Sequence, residues 1–157
     1  NFDRSAAASF LRRVRAALGR ADRLLLGVDL RKSRAMLEAA YDDEQGVTAR
    51  FTSNLLVRID RELGGRFGAD SFLHRARWRE DEGRIEIHLV SRRARRIPIA
   101  ALGLEIEFEA GEGIHIEDSF KYSPAELDAL LDAASLRCDA RWLDAKSRFC
   151  VVLCAPV

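Results

Sequence analysis

The stretch "RLLLGVDL", residues 23–30, decides how the chain is organised, because it is a nearly uninterrupted apolar run that ends in an acid. Runs of this kind are typical of strands buried on both faces of a parallel sheet. The segment before it, "AAASFLRRVRAALG", predicts a helix capped by Ser5 and stopped by Gly19. A helix followed by a buried strand is half of an α/β unit. We therefore predict an α/β fold and expect the preceding strand to lie upstream of residue 1.

The middle of the chain changes character. Ser33 is placed to cap a helix that runs to about Tyr41, and "VTARFTSNLLVRIDREL", residues 47–63, has apolar residues at helical spacing before a double glycine. After Asp70, alternating stretches such as "RIEIHLVS" and "GLEIEFEAGEG" predict an antiparallel β-meander. We therefore predict an inserted α+β subdomain over residues 32–121.

The last part of the chain returns to the style of the first. Ser123 and Pro124 predict a helix start, and Glu126 stands at the third helical position. "RCDARWLDA" and "RFCVVLCAP" then predict a hairpin. Residues 1–31 and 122–157 are accordingly predicted to form one core, with the subdomain between them.

Composition excludes several classes of function. The chain of 157 residues carries 26 basic and 25 acidic residues, so its bulk charge does not favour polyanion binding. The basic cluster "SRRARRIP", residues 91–98, is interpreted as a solvated hairpin edge. No apolar run approaches the ~20 residues of a membrane span, three cysteines fit a reducing cytoplasm, and three widely spaced histidines predict no metal site. We expect no nucleic-acid or membrane partner.

Longer segments carry a resemblance to a known family. "NFDRSAAASFLRRVRAALG", "LEAAYDDEQGVTARFTSNLLVRIDRELGGRF" and "HIEDSFKYSPAELDALLDAA" resemble the carboxy-terminal half of the histidine Nα-methyltransferases, which make trimethylhistidine for ergothioneine synthesis. The resemblance implies S-adenosylmethionine as cofactor, a partial Rossmann-like class I methyltransferase fold, and a small-molecule amino acid as substrate. We also expect a cytoplasmic monomer. The family's cofactor-binding glycine-rich turn is not in this stretch, so no cofactor-contacting or catalytic residue is assigned, and the stretch alone is expected to be inactive.

The resemblance also implies substrate-binding residues. Positions that match the family's contacts to the amino acid backbone are Asn1 and Tyr41, and those that match its contacts to the imidazole ring are Glu117 and Ser119. A carboxylate can accept a ring N–H while a hydroxyl donates to the other ring nitrogen. Further positions that line the family's substrate pocket are Thr48, Phe51 and Ile87.

Two other hypotheses remain open at this point. The family often has methionine where this chain has Ile87, and a stiffer β-branched side chain changes the shape of the pocket. This departure favours tryptophan or another aromatic amino acid as substrate. A non-catalytic ligand-binding module is the second alternative. Taken alone, Glu117 and Ser119 also fit a solvated strand end, and Tyr41 fits a packing residue.

Overall fold

The computed structural model describes residues 1–157, which form a mixed α/β structure with several sheets. Its elements are α1 (Arg4–Ala17), β1 (Leu24–Asp29), α2 (Arg34–Tyr41), α3 (Val47–Leu63), β2 (Phe72–Arg79), β3 (Arg84–Ser91), β4 (Arg95–Ile99), β5 (Leu104–Phe108), β6 (Gly113–Phe120), α4 (Pro124–Ala133), β7 (Leu136–Leu143) and β8 (Phe149–Pro156). None of the helices is long and apolar enough to cross a membrane.

The chain divides into two compact units. The first unit is built from three separate segments, 1–33, 80–84 and 119–157, and the second from 34–79 and 85–118. The chain passes from the second unit back to the first after residue 79 and again after residue 118. Both positions lie inside the region 32–121 that the sequence predicts as an insert. Residues 32 and 121 as the boundaries of the insert remain a prediction.

The sheet of the first unit differs from the expected one. Its strand order is β1-β8-β7, and β1 pairs with β8 in an antiparallel ladder. The parallel arrangement inferred from "RLLLGVDL" is thus wrong for this neighbour, and β1 is not buried on both faces, since Leu25 is 63% exposed. The physical reason is that the apolar partner strand β8 closes as a hairpin with β7 and reaches β1 from the opposite direction. The predicted hairpin itself is confirmed.

Helix ends in the first unit follow the capping rules, with one shift. The N-cap of α1 is Asp3, whose carboxylate accepts from the Ala6 N–H at 2.7 Å, so the prediction of Ser5 is wrong by two positions. An acid in this position satisfies an unpaired amide and also favours the positive end of the helix dipole. In α4, Ser123 and Glu126 form the predicted capping box. One apolar core joins α1, α4 and the sheet, and includes Leu11, Leu127 and Val152.

A charged cluster lies beside this core. Glu126 accepts from Arg31 at 2.7 Å and from Arg4 at 3.2 Å, and its other oxygen accepts from the Ser123 N–H at 2.6 Å. Partial burial alone would raise the pKa of Glu126, but the hydrogen bonds from Arg31 and Ser123 and the charge of Arg4 outweigh it and lower this pKa to about 2. Glu126 is therefore ionised throughout the neutral range.

The second unit contains two sheets where the sequence predicts one meander. The order β2-β3-β6 forms a three-stranded sheet, and β4 and β5 form a separate antiparallel hairpin inserted between β3 and β6. Arg96 on β4 pairs with Glu107 on β5 at 2.7 Å and is well exposed, which agrees with the solvated hairpin edge predicted for the basic cluster.

Two apolar clusters hold the second unit together. The larger includes Leu56, Leu89 and Ile97, and the smaller is made of Leu37, Trp78, Ile85 and Ile87. Helix α3 contributes Leu56 to the larger cluster, with Ile59 and Leu63 packed against it. Three apolar residues of its amino-terminal half stay exposed instead, namely Val47, Phe51 and Leu55.

Candidate functional site

Tyr41 is the last residue of α2, and the structure fixes it from two sides. Its carbonyl oxygen accepts from the buried His74 Nε2 at 2.8 Å. Its side chain packs against the smaller apolar cluster, in which Ile87 is 1% exposed. The second unit thus brings together two of the residues predicted to bind substrate, Tyr41 and Ile87.

His74 also connects this region to α3. Its Nδ1 lies 2.9 Å from the Thr52 hydroxyl, which in turn lies 3.2 Å from the Thr48 carbonyl oxygen. Because Nε2 faces a carbonyl acceptor, Nε2 carries a hydrogen and donates to it, while the Thr52 hydroxyl lies within hydrogen-bond distance of Nδ1. One imidazole therefore ties the end of α2 to the first turns of α3.

Thr48 and Phe51 lie on the amino-terminal part of α3 and have different surroundings. The Thr48 N–H donates to Asp43 Oδ1 at 2.9 Å, and the Val47 N–H donates to the other oxygen at the same distance. These amides, that of Thr48 first, lower the pKa of Asp43 to about 2. Phe51 is 75% exposed, so the second unit by itself does not enclose the ring that the sequence predicts as part of a pocket.

Glu117 stands on β6, half-buried, directly after Ile116, which packs against both apolar clusters. His115, two residues earlier on the same strand, is more exposed, and its Nε2 lies 3.1 Å from Asp118 Oδ1. The rings of His115 and His88 are 5.2 Å apart between centroids. Burial lowers the pKa of His88, and the charge of Glu86 opposes this effect.

Ser119 opens the last segment of the first unit and has a charged partner. The buried Lys121 donates to its hydroxyl oxygen at 2.7 Å, and the same ammonium contacts Asp29 at 2.9 Å. Asn1, the remaining predicted substrate-binding residue, is exposed at the beginning of the first unit.

Two residues in these networks, His74 and Lys121, are absent from the sequence-based prediction. A signal for His74 exists, because the alternation in β2 places it on the same face as Phe72 and Trp78. Lys121 gives no comparable signal, since a lysine among Phe120 and Tyr122 is most simply interpreted as a surface residue. A groove of about 510 Å³ beside α3 is lined by His74 among others, but by none of the seven predicted residues.

Comparison with known proteins places the chain in a family. A family described as "Histidine-specific methyltransferase, SAM-dependent" matches residues 1–156. The chain therefore belongs to this family of methyltransferases, and the resemblance inferred from the sequence is confirmed.

Individual proteins similar to this chain are also amino acid methyltransferases. The chain is 44% identical to a histidine N-alpha-methyltransferase of Mycolicibacterium smegmatis over 142 residues. This matched stretch covers 90% of this chain and 44% of that protein. It is 42% identical to the corresponding protein of Mycobacterium tuberculosis, over 94% of this chain and 46% of that one. An L-tryptophan methyltransferase of Psilocybe serbica is 30% identical, over 92% of this chain and 40% of that protein. The chain thus spans about half the length of the curated relatives it matches.

Proposed function

We propose that the protein containing this chain transfers methyl groups to the α-amino nitrogen of L-histidine, giving trimethylhistidine for ergothioneine synthesis. The observation that carries this proposal is the match to two histidine N-alpha-methyltransferases at 44% and 42% identity over at least 90% of the chain. An ergothioneine biosynthesis protein of Schizosaccharomyces pombe is also similar, at 28% identity.

The proposed cofactor is S-adenosylmethionine, which supplies an electrophilic methyl group when bound. Transfer to an amine is an in-line displacement, so the main work of the protein is to hold the neutral amine in the correct orientation. We assign the amino acid backbone to Asn1 and Tyr41 and the imidazole to Glu117 and Ser119. The fixed carbonyl of Tyr41 and the Lys121 contact of Ser119 support these assignments, because both positions are held by buried partners. No residue of this chain is assigned to the cofactor.

The proposed architecture is a Rossmann-like methyltransferase core carrying an α+β substrate-binding insert. Its support is the discontinuous first unit, whose first and last segments, 1–33 and 119–157, flank the second unit in the sequence. We further propose that the protein acts as a cytoplasmic monomer on a small-molecule amino acid, with Thr48, Phe51 and Ile87 lining the substrate pocket.

Tryptophan is the alternative substrate that a specific observation favours. A tryptophan methyltransferase is 30% identical to this chain, and Ile87 departs from the methionine that the family often has there. We prefer histidine, because the identity to the histidine enzymes is higher and because Glu117 and Ser119 offer an acceptor and a donor to a polar ring.

The test is a competition assay on the complete protein with equal concentrations of histidine and tryptophan, followed by mass spectrometry of the methylated products. We expect trimethylhistidine to dominate. In Glu117→Ala, kcat/KM for histidine should fall roughly 10–100-fold, the effect of losing a hydrogen bond to a charged group. Glu107→Ala is the matched control, since this exposed acid pairs with Arg96 on the hairpin. Dominant methylation of tryptophan, or equal effects of the two substitutions, would contradict the proposal.

A further inference from the structure

Two of the three cysteines face each other across the sheet of the first unit. Cys138 on β7 is the direct register partner of Cys154 on β8, and both are free thiols. Opposed side chains of an antiparallel pair lie on the same face of the sheet. On that face Cys154 is 0% exposed in the apolar core, and the half-buried Cys138 packs against the same core. The pKa of Cys154 is raised by burial first and by the neighbouring Cys138 next, which agrees with this proximity.

The spacing of the two strands suits a bond between these thiols. Directly opposed residues of an antiparallel ladder have Cα atoms about 4.5–5.5 Å apart. Disulfide-bonded cysteines have Cα atoms about 4.4–6.8 Å apart, so no change of register is needed. The register shifts directly after Cys138, with Asp139 as the extra residue before pairing resumes between Ala140 and Leu153. Such a bulge bends and twists the strand locally, and this lets the two Cβ atoms adjust their separation.

The third cysteine, Cys150, has no thiol opposite it. Its register partners are Leu143 on β7 and Val28 on β1. It lies four residues from Cys154 on the same strand, about 13 Å away at the usual rise of a strand, which is too far for a disulfide. Position in the sheet therefore singles out one pair among the three thiols. Cys150, which is also buried in the core, serves as an internal control.

We propose that Cys138 and Cys154 are an oxidation site, at which hydrogen peroxide produces a reversible disulfide that fixes β8 to β7. Cys138, the more accessible thiol, reacts first. Its thiolate forms an S–O bond with one peroxide oxygen, the O–O bond breaks and hydroxide leaves, which gives a sulfenic acid.

The opposed Cys154 completes the reaction. Its sulfur attacks Cys138 Sγ, so that the S–S bond forms, the S–O bond breaks and the departing hydroxide takes the Cys154 proton as water. In total the two thiols lose two electrons and two protons, and one peroxide becomes two water molecules. A small thiol such as glutathione restores both cysteines by thiol–disulfide exchange and is itself oxidised.

The direct test is a peptide map of the complete wild-type protein after treatment with hydrogen peroxide. Remaining thiols are alkylated under denaturing conditions before digestion with trypsin without reduction. Cys150 and Cys154 lie in one tryptic peptide after Arg148, and fragmentation between them identifies the bonded sulfur. We expect Cys138 joined to Cys154, Cys150 alkylated, and release of the crosslink by dithiothreitol. Alkylation of both Cys138 and Cys154, or a bond that includes Cys150, would overturn the proposal.

Two variants test the role of the opposed thiol. Cys154→Ala should form no crosslink, and the sulfenic acid of Cys138 should then be trapped by dimedone. Cys150→Ala is the matched control, because Cys150 is 1% exposed on the same strand, and it should form the crosslink at a rate within about twofold of wild type. Loss of the crosslink in both variants would contradict a site made by one pair.

Urea unfolding tests whether the bond fixes the two strands. The oxidised protein should unfold at a higher urea concentration than the reduced protein, because the bond closes a loop of about 15 residues in the unfolded chain. Cys150→Ala should show the same increase. Equal midpoints for the oxidised and reduced wild-type protein would show that β8 is not fixed. Thermal unfolding of each variant comes first, and where Cys154→Ala does not unfold cooperatively, Cys138→Ser replaces it and should form neither crosslink nor dimedone adduct. The wild-type peptide map decides the proposal independently of the variants.

Discussion

The two units of the chain hold their buried and half-buried polar side chains by different physical means. In the first unit, charge does this work, because Lys121 is fixed by Asp29 and Glu126 is fixed by Arg4 and Arg31. In the second unit, hydrogen bonds through His74, Thr52 and the Tyr41 carbonyl join α2 to α3, and the Asp43 carboxylate accepts from the Thr48 N–H. We therefore expect ionic strength to act mainly on the ion pairs of Lys121 and Glu126, while the link through His74 should respond mainly to loss of packing and of hydrogen-bond geometry.

The largest expected effect comes from removing the acid of the buried pair. Asp29→Ala leaves the Lys121 ammonium without its carboxylate and should lower the free energy of unfolding by about 3 kcal/mol. Urea denaturation of the complete protein measures this loss, and amide hydrogen exchange should locate it in β1 and β8. Adding Lys121→Met to this variant should restore most of the stability. A double variant as unstable as Asp29→Ala would contradict a charge-based cause.

Next in size is the loss of the hydrogen-bonded link through His74 in the second unit. His74→Ala removes two hydrogen bonds and leaves a cavity, so we expect a loss of about 2 kcal/mol, with faster amide exchange in α2 and α3. Thr52→Val, which removes only one of the two links, should cost about half as much. Faster exchange confined to β1 and β8 would show that the two units are not held separately.

A smaller effect with a defined pH dependence is expected at Glu126. Since its folded pKa of about 2 lies below the ordinary value of 4.5, the ionised group stabilises the fold above about pH 4.5, and this contribution is lost as the pH falls toward 2. Glu126→Gln should cost about 1 kcal/mol at neutral pH once solvent screening is taken into account. Urea titrations at several pH values should show the difference from wild type shrinking across that window. A difference independent of pH would contradict the ionic cause.

The smallest effect on stability is expected at Phe51, which is 75% exposed. Phe51→Ser should change the free energy of unfolding by less than about 0.5 kcal/mol, while raising the KM for histidine if the ring lines the substrate pocket as predicted. Leu56→Ala is the contrasting substitution on the same helix, because Leu56 is fully buried, and it should cost about 3 kcal/mol. Similar losses in both variants would mean that Phe51 is part of the folded core.

Local signals in the sequence were sufficient for most of the elements. The capping residues Ser123 and Glu126 act within one turn of their own helix, so their pattern predicts α4 correctly. The pairing of β1, in contrast, depends on a strand far away in the sequence. Leu24 pairs with Cys154, and nothing within "RLLLGVDL" states whether so distant a strand will arrive parallel or antiparallel. The apolar content of the strand therefore predicted the wrong direction of the neighbouring strand, parallel instead of antiparallel.

The candidate site shows the same division. Family resemblance supplied Tyr41 and Ile87, which the structure brings to one cluster, and their predicted role in substrate binding remains to be tested. The residues that support the site were missed, because His74 meets Tyr41 and Lys121 meets Asp29 across long sequence separations. Their importance comes from burial and from the group they face, which a one-dimensional pattern does not contain.

The central strand of the first unit also has a practical use. Cys150 and Cys154 are buried on β8, and burial raises the pKa of both thiols, that of Cys154 to about 11. Thiolates are the reactive form, so an alkylating reagent should modify these two sites only when the strand detaches. The alkylation rates of Cys150 and Cys154 therefore report how often the sheet opens, and mass spectrometry can measure them without any introduced label.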